Sequence, residues 1–107
     1  MSEAQMKYTA IITKLSGEFE GVKASKMFGM QCGKVNGKVF ACFEEAGMIF
    51  KLQGKSHARA LNLDGAKLFD PMGGRPMKEW VYIPTVHADQ WENLAADALE
   101  YVMTITK

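Results

Sequence analysis

The stretch Phe69-Asp70-Pro71-Met72-Gly73-Gly74-Arg75-Pro76-Met77-Lys78-Glu79-Trp80-Val81-Tyr82-Ile83-Pro84 decides the reading of the fold. Its first half is a turn built on Pro71, Gly73, Gly74 and Pro76 that presents one basic side chain, Arg75. Its second half, Trp80-Val81-Tyr82-Ile83, is an uninterrupted run of β-forming residues stopped by Pro84. Neighbouring residues of a strand point to opposite faces, so aromatic and branched side chains at consecutive positions make both faces apolar. Such a strand belongs in the middle of a sheet.

Upstream, Asn36-Gly37 supplies the two left-handed positions of a tight hairpin turn and joins a strand in Lys23–Cys32 to a second strand, Val39–Phe43. Gly29, inside the first of these, predicts a bulge or a close backbone approach. The turn Glu44-Glu45-Ala46-Gly47 leads to a third strand, Met48–Leu52. With Asn36 and Gly37 as loop residues, Val35 pairs with Lys38 and Cys32 falls opposite Ala41, which puts Cys42 on the other face and disfavours a disulfide; a bulge at Gly33 would shift this by one residue. Ser2–Ser16 carries Tyr8, Ile11, Ile12 and Leu15 at helical spacing, with Ser2 as N-cap and Gly17 just past the end. Lys55–Asn62 has the composition of a short helix capped by Ser56. Ala66–Phe69 is a brief strand. Asp89–Met103 places Trp91, Leu94, Ala95, Ala98 and Val102 on one stripe, with Asp89 and Glu92 at capping-box spacing.

The predicted order is α-β-β-β-α-β-β-α, a single α+β domain over residues 1–107 in which helices cover an antiparallel sheet in two layers. Val39 to Phe43, Met48 to Phe50 and Trp80 to Ile83 are apolar on both faces, whereas helices on one side cover only one. Either the second face is buried against another chain, as in a homodimer, or helices wrap both sides.

A chain of 107 residues, 48% hydrophobic and 23% charged, is an ordinary globular domain. A formal charge of +1 gives no global field for polyanions, so direct nucleic-acid binding is not expected without a local patch. No signal-peptide-like or bilayer-length apolar run is present, which predicts a cytoplasmic protein, no membrane contact and reduced thiols at Cys32 and Cys42. Neither cysteine has metal-type spacing, and His57 and His87 have no nucleophile or carboxylate at a recognised spacing. No catalytic residue, metal or cofactor is therefore expected, and the chain is read as non-enzymatic.

Two constellations remain. Gly73-Gly74-Arg75 could hold a small anionic ligand through backbone donors and a guanidinium, or could be a turn whose Arg75 pairs with Asp70 or Glu79. Lys26, Lys51 and Lys78 would join Arg75 in one basic patch if they share a face, and Trp80 is either a stacking platform beside it or a core residue.

Lys26-Met27-Phe28-Gly29, the hairpin Asn36-Gly37-Lys38-Val39-Phe40-Ala41, Lys51-Leu52 before a short helix, Gly73-Gly74-Arg75-Pro76-Met77-Lys78-Glu79-Trp80-Val81 and a closing helix from near Trp91 resemble the N-terminal domain of the TfoX/Sxy proteins, relatives of the YjbR-like domains. The resemblance runs from about Val22 to Val102. It implies a two-layer module and a part in bacterial competence regulation, as a transcriptional co-regulator working by protein contact. It implies no catalytic residues. The regulators also carry a helical C-terminal domain, which a chain ending at Lys107 is expected to lack.

Overall fold

The computed structural model describes residues 3–27, 29–44, 47–70, 74 and 77–106. Helix α1 (Glu3–Glu18) is followed by strands β1 (Val22–Met27), β2 (Met30–Val35), β3 (Lys38–Glu44) and β4 (Gly47–Lys51). Helix α2 (Gly54–Leu61), strands β5 (Lys67–Phe69) and β6 (Met77–Pro84), a 3₁₀ segment (Thr85–Gln90) and helix α3 (Trp91–Ile105) complete the chain. The strands form one antiparallel sheet in the order β1-β2-β3-β4-β6-β5. The class is α+β, as the sequence predicts, and β6 lies inside the sheet between β4 and β5.

The order differs from expectation by one strand. Lys23–Cys32 is not a single strand: Gly29, with φ of 77°, lies between β1 and β2, which pair back on each other from Val22↔Val35 to Met27↔Met30. The Asn36-Gly37 turn forms as predicted, with both residues at positive φ.

The register from that turn departs from the straight count. Val35 pairs with Lys38 and Lys34 with Val39, but Gly33 then pairs with Ala41 and Cys32 with Cys42, so Phe40 is an extra residue in β3. Gly33 makes room for it. A Cβ there would lie 2.7 Å from Ile12 Cδ1 and 3.0 Å from Phe40 Cζ, so only a bare backbone lets the Phe40 ring and α1 close over this point. The bulge turns Cys42 to the same face as Cys32, which corrects the expectation that they point apart.

The helices cover one face. Tyr8, Ile11, Ile12 and Leu15 of α1, Ala60 of α2, and Trp91, Leu94, Ala95, Ala98, Leu99 and Val102 of α3 form one buried cluster with Phe40, Phe50, Met48, Val81 and Ile83 of the sheet. The stripe read on the last helix is the one buried. Trp91 is fully buried and donates its Nε1 hydrogen to the Ile83 carbonyl at 3.3 Å, meeting its one polar need inside the core. Each of these large side chains contributes about 2 kcal/mol by leaving water.

Helix ends follow the sequence less closely. Helix α1 runs through Gly17 to Glu18, and Ser2 lies outside the described residues. Gln53, not Ser56, precedes α2, and Gln90 precedes α3; neither makes a side-chain cap bond. Glu92 is drawn away from capping by Lys14 of α1, whose Nζ lies 2.6 Å from its Oε1.

Candidate functional site on the open sheet face

The opposite face of the sheet has its own apolar cluster, to which no helix residue contributes among the described residues. Cys32, Cys42 and Ile49 are its buried centre, with Met30, Val39, Phe69, Trp80 and Tyr82 half-buried around them. Register explains the grouping. Lys67, Tyr82, Ile49, Cys42, Cys32 and Ser25 are successive cross-strand partners, one row spanning all six strands. Trp80 and Lys51 are partners in the next row, and Val39, Lys34 and Lys23 are partners at its far end.

Two of the lysines lie against aromatic rings of this face. Lys51 Nζ is 5.7 Å from the centroid of Trp80, and Lys67 Nζ is 5.6 Å from that of Tyr82. Lys23 and Lys34, opposite each other, emerge on this face because their neighbours Val22 and Val35 are buried on the helix side. Glu44 is the acidic strand residue here. With burial as the larger cause, its carboxylate pushes the Tyr82 hydroxyl above the ordinary phenol value, so the ring is neutral at physiological pH. The face is thus an apolar centre ringed by ammonium groups.

The sequence-derived candidates divide across the molecule. Lys51 and Trp80 come together, with Lys51 Nζ also 3.9 Å from Glu79 Oε1. Lys26 is exposed on β1, which lies four strand positions or about 19 Å from β6. Its cross-strand partner Gln31 exchanges hydrogen bonds with Gln5 of α1, so Lys26 belongs to the helix side. Lys78 is exposed, and its carbonyl meets His57 Nε2 at 2.6 Å. Arg75 and Gly73 lie outside the described residues; Gly74 donates its backbone hydrogen to Asp70 Oδ1 at 3.1 Å, so that amide already serves an anion of the chain itself. Trp80 is neither fully core nor free: it is half-buried in the second cluster, while Trp91 takes the core role.

Sequence reasoning passed over Lys23, Lys34, Lys67 and Tyr82. The signal that finds them is strand alternation combined with the correct register, which needs both the reversal at Gly29 and the bulge at Phe40.

His57 and His87 are half-buried, and each places Nε2 on a backbone carbonyl, Lys78 and Asp64 respectively. No group of three His, Cys, Asp or Glu side chains converges as a metal site would require among the described residues. A cleft of about 530 Å³ between Phe19, Asn36 and α3 is lined mainly by Leu99, Met103 and Ala96, with Glu100 its one ionisable group. No helix, among the described residues, is long and apolar enough to cross a membrane. Comparison with protein-family models, curated proteins and solved structures finds no match to this chain.

Proposed function

We propose that this chain is a non-enzymatic interaction module that docks a partner protein on the open face of its sheet. The partner presents apolar side chains to Trp80 and Tyr82, half-buried around Ile49, and carboxylates to the lysines around them. The observation that carries this reading is the second apolar cluster, a buried centre rimmed by half-buried aromatic and aliphatic side chains, to which no helix contributes among the described residues. Charge selects the kind of partner. Lys23, Lys34, Lys51 and Lys67 face outward against Glu44, so a second copy laid on the same face would bring like charges together, whereas an acidic surface is steered in. The motifs shared with the TfoX/Sxy N-terminal domain support a regulatory setting for that contact.

Nuclear magnetic resonance titration with a synthetic peptide alternating glutamate with leucine and tryptophan tests the reading. The expected result is a shift of the Cys42, Ile49, Lys51, Lys67 and Tyr82 amides that weakens as salt is raised and is lost in Tyr82→Glu. No perturbation of these amides at millimolar peptide, or shifts confined to the helix layer, overturns it. Sedimentation of the protein alone supplies the remaining outcome: a dimer dissociated by Tyr82→Glu would assign the face to a second copy and reject the acidic partner.

A further inference from the structure

We infer that Cys32 and Cys42 are a redox-active dithiol, which an oxidant of the peroxide class converts to a disulfide joining β2 to β3 across the open face. The inference stands on the register and the sulfur positions and does not depend on the docking reading.

The two residues are direct antiparallel partners, a relation that holds Cα atoms about 4.5–5.5 Å apart and within the span a disulfide needs. Both side chains leave the sheet on the same side, and the two sulfurs are 3.0 Å apart. Closing to a bond of about 2.05 Å takes about 1 Å of further approach, a small side-chain adjustment. Neither cysteine is in a disulfide in this structure. This pairing is the product of the Phe40 bulge: a regular ladder from the Asn36-Gly37 turn would set Cys32 against Ala41 and leave no pair.

The surroundings order the two steps. The Cys32 sulfur lies 3.5 Å from the Met30 carbonyl, to which it can donate, and 3.0 Å from Cys42 Sγ, a contact in which either thiol can be the donor. That contact, then burial, pushes the Cys42 thiol above its ordinary range, which suits Cys42 to the second step, where it stays a thiol until it attacks. The Cys32 thiolate attacks one oxygen of hydrogen peroxide; the O–O bond breaks, the sulfur becomes a sulfenic acid and hydroxide departs. Cys42 Sγ, already in contact, then attacks the Cys32 sulfur. The S–S bond forms, the S–O bond breaks, and the Cys42 proton leaves with the departing hydroxide as water. In sum, two thiols and one peroxide give one disulfide and two waters. Cys32 and Cys42 are 0% and 1% exposed, which keeps bulky thiol reagents out and makes the first step slow, while the second, between sulfurs already in contact, is fast.

The test treats the native protein with hydrogen peroxide, quenches, denatures, alkylates free thiols and measures mass with peptide mapping. The expected product is monomeric, lighter by two hydrogens, carries no alkyl group on Cys32 or Cys42, and regains both thiols with dithiothreitol. Met6, 60% exposed, is an internal measure of oxidant dose. Both cysteines still alkylated once Met6 is fully sulfoxide overturns the inference. Sulfinic acid on Cys32 in the wild type, or disulfide-linked dimers, overturns it equally. In Cys42→Ala the intramolecular product is expected to vanish and Cys32 to proceed to sulfinic acid; the wild-type mass decides the matter even where that variant folds poorly.

Discussion

Tyr8 packs its ring on Phe43 with centroids 5.1 Å apart and is almost wholly buried, yet its hydroxyl has no hydrogen-bond partner among the described residues. Burial pushes that phenol well above its usual range, so it does not ionise to escape. A buried polar group without a partner costs about 1–3 kcal/mol, whereas the ring contributes its full burial. Tyr8→Phe is therefore expected to raise stability by about 1 kcal/mol in urea unfolding, and a loss instead would assign the hydroxyl a partner. Single residues were also where the sequence read least well. Trp80 and Trp91 are the same residue type near strand and helix starts. Only their partners, Lys51 for one and the Ile83 carbonyl for the other, separate a surface platform from a core post. The cysteine pair was invisible for a sharper reason. A strand count has a period of two, and one extra residue at Phe40 inverts every facing beyond it.

Elements were legible where side-chain pattern alone decides them. The stripes of α1 and α3, the Asn36-Gly37 turn and the two-faced β6 all follow from spacing, and all stand where the spacing puts them. Their boundaries depend on neighbours, and there expectation failed: Gly17 continues α1, and Glu92 pairs with Lys14 and does not cap α3. Two glycines carry opposite predictions. Gly17 lies within α1 with open space where a methyl group would stand, so Gly17→Ala is expected to stabilise by up to about 1 kcal/mol through reduced unfolded-chain freedom. Gly47 begins β4 opposite Pro84, and a Cβ there would run into the Ile83 carbonyl oxygen and sit 2.9 Å from Pro84 Cα. The obstacle is backbone and cannot swing aside, so Gly47→Ala is expected to cost about 3 kcal/mol and to loosen β6 from β4. Thermal melts of the two variants should move in opposite directions; equal shifts would mean the β4–β6 edge yields where the packing says it does not.

At the scale of the whole molecule, the layered architecture and the apolar character of both sheet faces were readable because they are sums over many residues. The candidate site was not, since its lysines come from β1, β2, β4 and β5 and are assembled only by the strand order. The same assembly resolves the near-zero charge. Lys23, Lys34, Lys51 and Lys67 gather on the open face, while the helices and the 3₁₀ segment carry Glu3, Glu18, Asp89, Glu92, Asp97 and Glu100 against Lys7, Lys14, Lys55 and Arg59. Opposite signs on opposite layers make the protomer a dipole whose long-range field nearly cancels but whose near field does not. In concentrated solution at low ionic strength, protomers are expected to attract back to front, the sheet of one addressing the helices of the next. Static light scattering should then show a negative second virial coefficient that turns positive above roughly 0.1 M salt, where the screening length falls to about 10 Å. Such stacking has no closing symmetry, so it would appear as turbidity or gelation on desalting, never as a discrete oligomer.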